Sequence, residues 1–282
     1  MIPPTQRLQS ARYPITSMKT ALLFCLCPLV FAQTPAAPAP SGQPREPQDL
    51  QLRKTRPSAE PRQDAKWPPA GPTPRTADGH PDLSGNWQPN AIRENVDLVG
   101  AGVDVPLLPG PKALYEKRRE TLSKDDPEAR CLPPGVPRMS TTPYPWSFVQ
   151  TKDMLLIVYE GGAHIWRKVF LDGRPHNPQV VETWLGDSIG HWEGDTLVVE
   201  TVGQNDITWL DESGVPHSDE MKVIERISRP DLGHLTIEHT IDDPKTFSKP
   251  WSFTTHPSLL KGELIEYICQ ENNRDVQHLV GK

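Results

Sequence analysis

From residue 146 onward, apolar and polar positions alternate in short runs separated by turn residues. That is the two-residue period of half-buried β-strands. The runs predict strands over Trp146–Thr151, Met154–Glu160, Ala163–Leu171, Val180–Leu185, Ile189–Glu193, Thr196–Val202, Lys222–Arg229, Leu235–Asp242, Trp251–His256 and Glu263–Cys269, with an earlier strand entry at Asp82–Trp87. The connections are too brief for helical crossovers, so the expected sheet is antiparallel. A closed meander barrel, which removes exposed edges, is preferred to an open sandwich. Helical spacing occurs convincingly once, over Pro111–Leu122, where Leu114, Tyr115 and Leu122 share a side and proline occupies the first turn. Its many charges predict a short surface helix.

Pairing register is testable on paper, because a one-residue slip moves every side chain to the opposite face. Setting Lys222–Arg229 against Leu235–Asp242 with Ile227 opposite Ile237 aligns Val223 with Ile241 on one face. It aligns Arg226 with Glu238 and Lys222 with Asp242 on the other. A one-residue shift instead opposes Glu225 to Glu238. The favoured register places Glu225 opposite His239 among isoleucines and a valine. A carboxylate beside an imidazole in apolar surroundings is either an oriented acid–base pair or a satisfied core pair that fixes the register.

Two further hairpins carry candidate chemistry. A Gly194-Asp195 turn pairs Trp192 with Leu197 and sets His191, Glu193, Thr196 and Glu200 on one polar face, directed to solvent or into a lumen. A two-residue Gly161-Gly162 turn would join Met154–Glu160 to Ala163–Leu171. It would gather Leu156, Val158, Ile165, Arg167 and Val169 on one face, and Ile157, Tyr159, His164, Trp166 and Phe170 on the other. Arg167 on an aliphatic face needs an anion, either a carboxylate such as Glu225 or the acid group of a ligand. Tyr159, His164, Trp166 and Arg167 are the candidate ligand contacts.

Composition changes the picture at the N-terminus. Of 33 prolines, 16 lie at or before Pro81, so the folded part is expected over residues 80–282 and a Pro/Ala-rich disordered linker over 33–79. Met18-Lys19, the apolar run to Phe31 and Val30-Phe31-Ala32 read as a secretory signal spanning Met18–Ala32, with residues 1–17 an over-called start. The expected location is periplasmic or extracellular, with no integral membrane segment after cleavage. Export leaves Cys131 and Cys269 in an oxidising compartment, as a disulfide or as two buried thiols. The net charge of −6 argues against nucleic acid as a partner. Subunit number is not written in the sequence.

Several longer motifs run through the chain: D-L-S-G-x-W at 82–87, C-L-P-P-G-V-P-R at 131–138, D-G-R-P-H at 172–176, G-H-W-E-G-D-T-L-V-V-E-T at 190–201 and E-N-N-R-D at 271–275. Together they resemble a family of exported bacterial proteins common in soil bacteria. That resemblance implies export and a compact β-domain and carries no catalytic residues. Gly85-x-Trp87 also resembles the opening strand of lipocalins, in which the tryptophan plugs one end of a barrel.

Metal and cofactor signatures are lacking. The nine histidines form neither H-x-H nor H-E-x-x-H, no zinc-type cysteine spacing occurs, and neither a G-x-S-x-G elbow nor a phosphate loop is present. No metal or cofactor is expected. The favoured expectation is a barrel that binds a small, partly apolar organic ligand in an internal cavity. One alternative is a cofactor-free hydrolase, lyase or isomerase, with Glu225 orienting His239 as base and Arg167 holding an anion. In that reading His191 and Glu193 form a lesser catalytic pair. The other alternative is an envelope scaffold without a ligand.

Overall fold

The computed structural model describes residues 67–162, 165–179, 181–269 and 271. The predicted signal and most of the predicted linker, together with His164, lie outside the described residues. Ten strands form one sheet: β1 (Gly85–Gln88), β2 (Trp146–Gln150), β3 (Met154–Tyr159), β4 (Trp166–Phe170), β5 (Asp187–Glu193), β6 (Thr196–Val202), β7 (Lys222–Asp231), β8 (His234–Asp242), β9 (Trp251–Thr255) and β10 (Ser258–Leu259). They follow one another in sequence order. The ring closes because β10, separated from β9 only by His256-Pro257, pairs with both β1 and β8. Counting β9 and β10 as one bent strand gives the nine staves of a closed β-barrel.

Alternation built this wall. Along β7 and β8 every second side chain is buried, and the register matches the charge-pair expectation at Lys222–Asp242, Val223–Ile241, Glu225–His239, Arg226–Glu238 and Ile227–Ile237. Across β5 and β6, Trp192 pairs with Leu197 and His191 with Val198, around a turn in which Gly194 takes φ +61°. The interior is occupied by Trp87, Trp146, Phe148, Leu155, Ile157, Leu197, Val199, Val223, Ile237 and Ile241. Trp87 is fully buried, donates Nε1 to the Leu83 carbonyl at 3.1 Å, and carries the Arg229 guanidinium 4.9 Å from its ring centroid.

Four expectations are corrected. The β3–β4 hairpin is one residue out of the predicted register, because the chain spends Glu160–Ile165 on the connection rather than the two glycines alone. Tyr159 N–H closes on the Ile165 carbonyl, and Ile157 pairs with Arg167. The slip swaps faces: Leu155, Ile157 and Tyr159 turn inward with Arg167 and Val169, while Trp166 stands more than half exposed outside. Second, β4 and β5 are parallel, with only Val169–Ser188 and Phe170–Ile189 paired. Third, of the predicted strand Val180–Leu185, the described residues 181–185 belong to the irregular return that this parallel pairing requires. Val181 is exposed, and Thr183 makes a single bridge to Gln204. Fourth, Glu263–Cys269 forms no ladder.

Helices are few. α1 (Ile92–Val96) was not anticipated, and α2 (Pro109–Glu120) buries only Tyr115 of the predicted apolar side, leaving Leu114 and Leu122 exposed. Upstream of residue 80 the chain lies along the barrel. Trp67 Nε1 donates to the Leu259 carbonyl at 2.7 Å, Thr73 to the Arg229 carbonyl at 2.7 Å, and Arg75 forks onto Asp195. Among the described residues no helix is long and apolar enough to cross a membrane.

Candidate functional site

Two clusters of buried charge stand out, one inside the wall and one under the loops. The first is a belt to which six consecutive strands each give one inward side chain: Arg167 from β4, Ser188 from β5, Thr201 from β6, Glu225 from β7, His239 from β8 and Thr255 from β9. Arg167 donates to Ser188 Oγ at 2.9 Å, Thr201 Oγ1 at 2.7 Å and Glu225 Oε2 at 2.6 Å. Glu225 Oε1 stands 3.5 Å from His239 Nδ1, and His239 Nε2 meets Thr255 Oγ1 at 3.1 Å while its ring stacks on Phe253. The Glu225–His239 proximity expected from register is thus present, and of the two anions considered for Arg167 it is the Glu225 carboxylate that the side chain meets.

Electrostatics in the belt are internally balanced. Burial works to raise the Glu225 carboxyl, but the Arg167 charge and the adjacent His239 outweigh it and hold the group down at about 2. Burial, aided by the Glu225 charge, raises the Tyr159 phenol against the opposing pull of Arg167. Arg167, Glu225 and His239 retain 3 % or less of their surface. Nη1 of Arg167, the Tyr159 hydroxyl and Nδ1 of His239 make no hydrogen bond among the described residues. His191 and Glu193 lie elsewhere, on the outer face: His191 is exposed, and Glu193 accepts from Arg226 at 2.8 Å.

The second cluster was not anticipated. Its frame is the proline-dense segment 131–145. Gly135 takes φ +85° and lies so close to Thr208 that a Cβ would come within 2.6 Å of the hydroxyl. Val136 N–H donates to Gln204 Oε1 at 2.7 Å, and Thr208 Oγ1 is 2.6 Å from His217 Nε2. Pinned this way, a 3₁₀ turn at Arg138–Ser140 sends the Arg138 side chain inward, leaving 1 % of it exposed. Arg138 forks onto Asp126 at 2.9 and 2.7 Å and reaches Glu128 Oε2 at 2.8 Å, while its Nε–H has no partner. Cys131 and Cys269 are joined by a disulfide (Cα–Cα 5.7 Å), which brings the C-terminal segment onto this loop. The Tyr144 and Tyr267 rings meet there in a tilted pair at 4.7 Å, with their hydroxyls 3.2 Å apart.

These groups border an open cleft of about 690 Å³, lined by Arg119, Asp126, Glu128, Arg138, Tyr144, Glu212, Tyr267 and the disulfide among others. The volume is that of a small-molecule site. Two of its ionisable groups, Glu128 and Tyr144, are displaced from their ordinary ranges. Burial, reinforced by Asp126 and Glu212, pushes the Glu128 carboxyl up despite Arg138. The hydrogen bond to Tyr267, together with burial, drives the Tyr144 phenol to about 12. Behind the wall, burial lifts Asp211 to about 6 although it accepts backbone N–H bonds from Leu98, Gly214 and Val215. Such perturbation concentrates at functional sites.

A further cleft of about 510 Å³ opens where β4 and β5 part, lined by Trp166, Phe170, Trp184, Arg167 and Ser188 among others. Two of the predicted ligand contacts, Trp166 and Arg167, meet there. Tyr159 is sealed in the core, and His164 lies outside the described residues. Among the described residues no group of three or more His, Cys, Asp or Glu is placed to hold a metal ion.

Nothing in the local pattern pointed to the larger cleft, since it is assembled from residues within 119–144, 212–213 and 267–269, with Val96 and Gly162. The available signal was an arginine and a cysteine inside a proline-rich segment. No family model, curated protein or solved structure matches the chain.

Proposed function

We propose that the protein is an exported β-barrel that binds a small, partly apolar organic ligand in the cleft beneath the proline-rich loop. The observation that carries this reading is Arg138. It is a guanidinium with almost no exposed surface and an unused Nε–H, at the edge of a cleft of about 690 Å³ that also holds a tilted pair of tyrosines. A buried donor left open beside a space is the feature a ligand acceptor completes. The Cys131–Cys269 bridge supports export, because such bonds persist in oxidising compartments.

Catalysis by Glu225 and His239 has weaker support. Arg167 is spent on Glu225, and the three side chains are enclosed by the wall that they hold together. The expected internal cavity gives way to an open cleft, since the barrel axis carries tryptophans, phenylalanine and aliphatic side chains. The test is native mass spectrometry of protein purified from the periplasm, followed by a fragment panel. A small-molecule adduct, or fragment binding, that Tyr144→Ala abolishes supports the reading. Absence of both, or an adduct indifferent to Tyr144→Ala, contradicts it.

A further inference from the structure

The donors and acceptors around the cleft are mixed in a way that selects a ligand class. Two guanidiniums (Arg119, Arg138) and three carboxylates (Asp126, Glu128, Glu212) line one space. Asp126 is committed to Arg138, and Glu212 already accepts from Asn95 Nδ2 at 2.5 Å. Glu128 and Glu212 keep further lone pairs for a donor, while Arg138 Nε–H calls for an acceptor. A simple anion bound to Arg138 would meet the carboxylates. A simple cation bound to the carboxylates would meet buried Arg138. A hydroxyl is donor and acceptor at once, so a ligand bearing several hydroxyls answers both sets without burying unpaired charge.

The apolar part of the cleft agrees. Tyr144 and Tyr267 incline to one another by 34° and form an aromatic wall, continued by the disulfide and by Leu122 and Leu132. A flat C–H face, such as one side of a pyranose ring, packs on such a wall while its hydroxyl edge turns to the charged groups. We propose that the cleft binds a polyhydroxylated ligand of the mono- or disaccharide class, with its ring on Tyr144 and Tyr267 and its hydroxyls shared among Arg138, Glu128 and Glu212. The inference rests on the cleft being the ligand site.

Saturation-transfer NMR on the full chain tests it, with three probe sets: methyl glycosides and disaccharides, simple ions (acetate, phosphate, tetramethylammonium), and indole as an apolar control. The expected result is saturation of sugar C–H protons, with affinity for the best glycoside lowered about tenfold by Tyr144→Ala and by Glu212→Gln. Glu212→Gln keeps the side-chain volume, so it reads recognition rather than folding, and circular dichroism of each variant checks the fold. Binding of ions or indole without binding of sugars overturns the saccharide assignment and leaves the cleft as a site for another class. Binding by no probe overturns both. Sugar binding unchanged by both substitutions places the ligand elsewhere and overturns the assignment to this cleft.

Discussion

Two buried arginine–carboxylate clusters in this molecule have nearly the same chemistry and opposite situations. Arg167 holds Glu225 at 2.6 Å, and Arg138 holds Asp126 at 2.7 Å. Each guanidinium is almost wholly buried, and each has one nitrogen without a partner among the described residues. The difference is what surrounds them. Arg167 is tied to serine, threonine and glutamate from three neighbouring strands, in a ladder whose register those bonds help to fix. Arg138 comes from a loop and borders open space, with Glu128 one-fifth exposed beside it. Charge pairing alone therefore does not mark a site; access beside an incomplete pairing does.

The comparison can be broken by removing each arginine. Arg167→Met leaves Glu225 buried without its cation, and loss of one partner of a buried pair costs about 3–5 kcal/mol. Urea unfolding at neutral pH should show a loss of that size; a loss under about 1 kcal/mol would mean the belt is not holding the wall. The pH dependence sharpens this. The folded-state Glu225 carboxyl lies at about 2, below its ordinary value of 4.5. Its contribution is therefore complete above pH about 4.5 and is lost as pH falls toward 2. In Arg167→Met the buried carboxyl is instead raised, so that variant gains stability on acidification and the gap from the parent narrows between pH 7 and 4. Parallel acid curves for the two proteins would contradict this.

Arg138→Met is expected to cost less, about 1–3 kcal/mol, because Glu128 can turn to solvent and only Asp126 is left fully buried. Calorimetry or urea unfolding gives the cost, and ligand titration of the same variant should show affinity lost. A stability loss equal to that of Arg167→Met with binding retained would make the two clusters equivalent, and the distinction between them would fall.

The Glu225–His239 pairing at the heart of the belt was legible in the sequence and the cleft was not, for physical reasons. Strand pairing is governed by a strict period of two, so the opposite charges of Lys222, Arg226, Glu238 and Asp242 were enough to place Glu225 on His239. The same logic failed at the β3–β4 hairpin, where the loop length was free and one extra residue turned Trp166 outward. The parallel β4–β5 pairing also escaped, since the described residues of its long return form no helix to announce a crossover. The cleft has no period at all. Its parts meet because a pinned loop, a disulfide across 138 residues and the 211–215 turn converge, and none of these is encoded by neighbours in sequence.

The most direct test of the division between belt and cleft is amide chemical-shift mapping of the full chain with its best-binding probe. The account predicts perturbations centred on residues 119–144, 212–213 and 267–269, with Glu225 and His239 unmoved. Perturbations centred on Glu225 and His239, with the cleft silent, would contradict it.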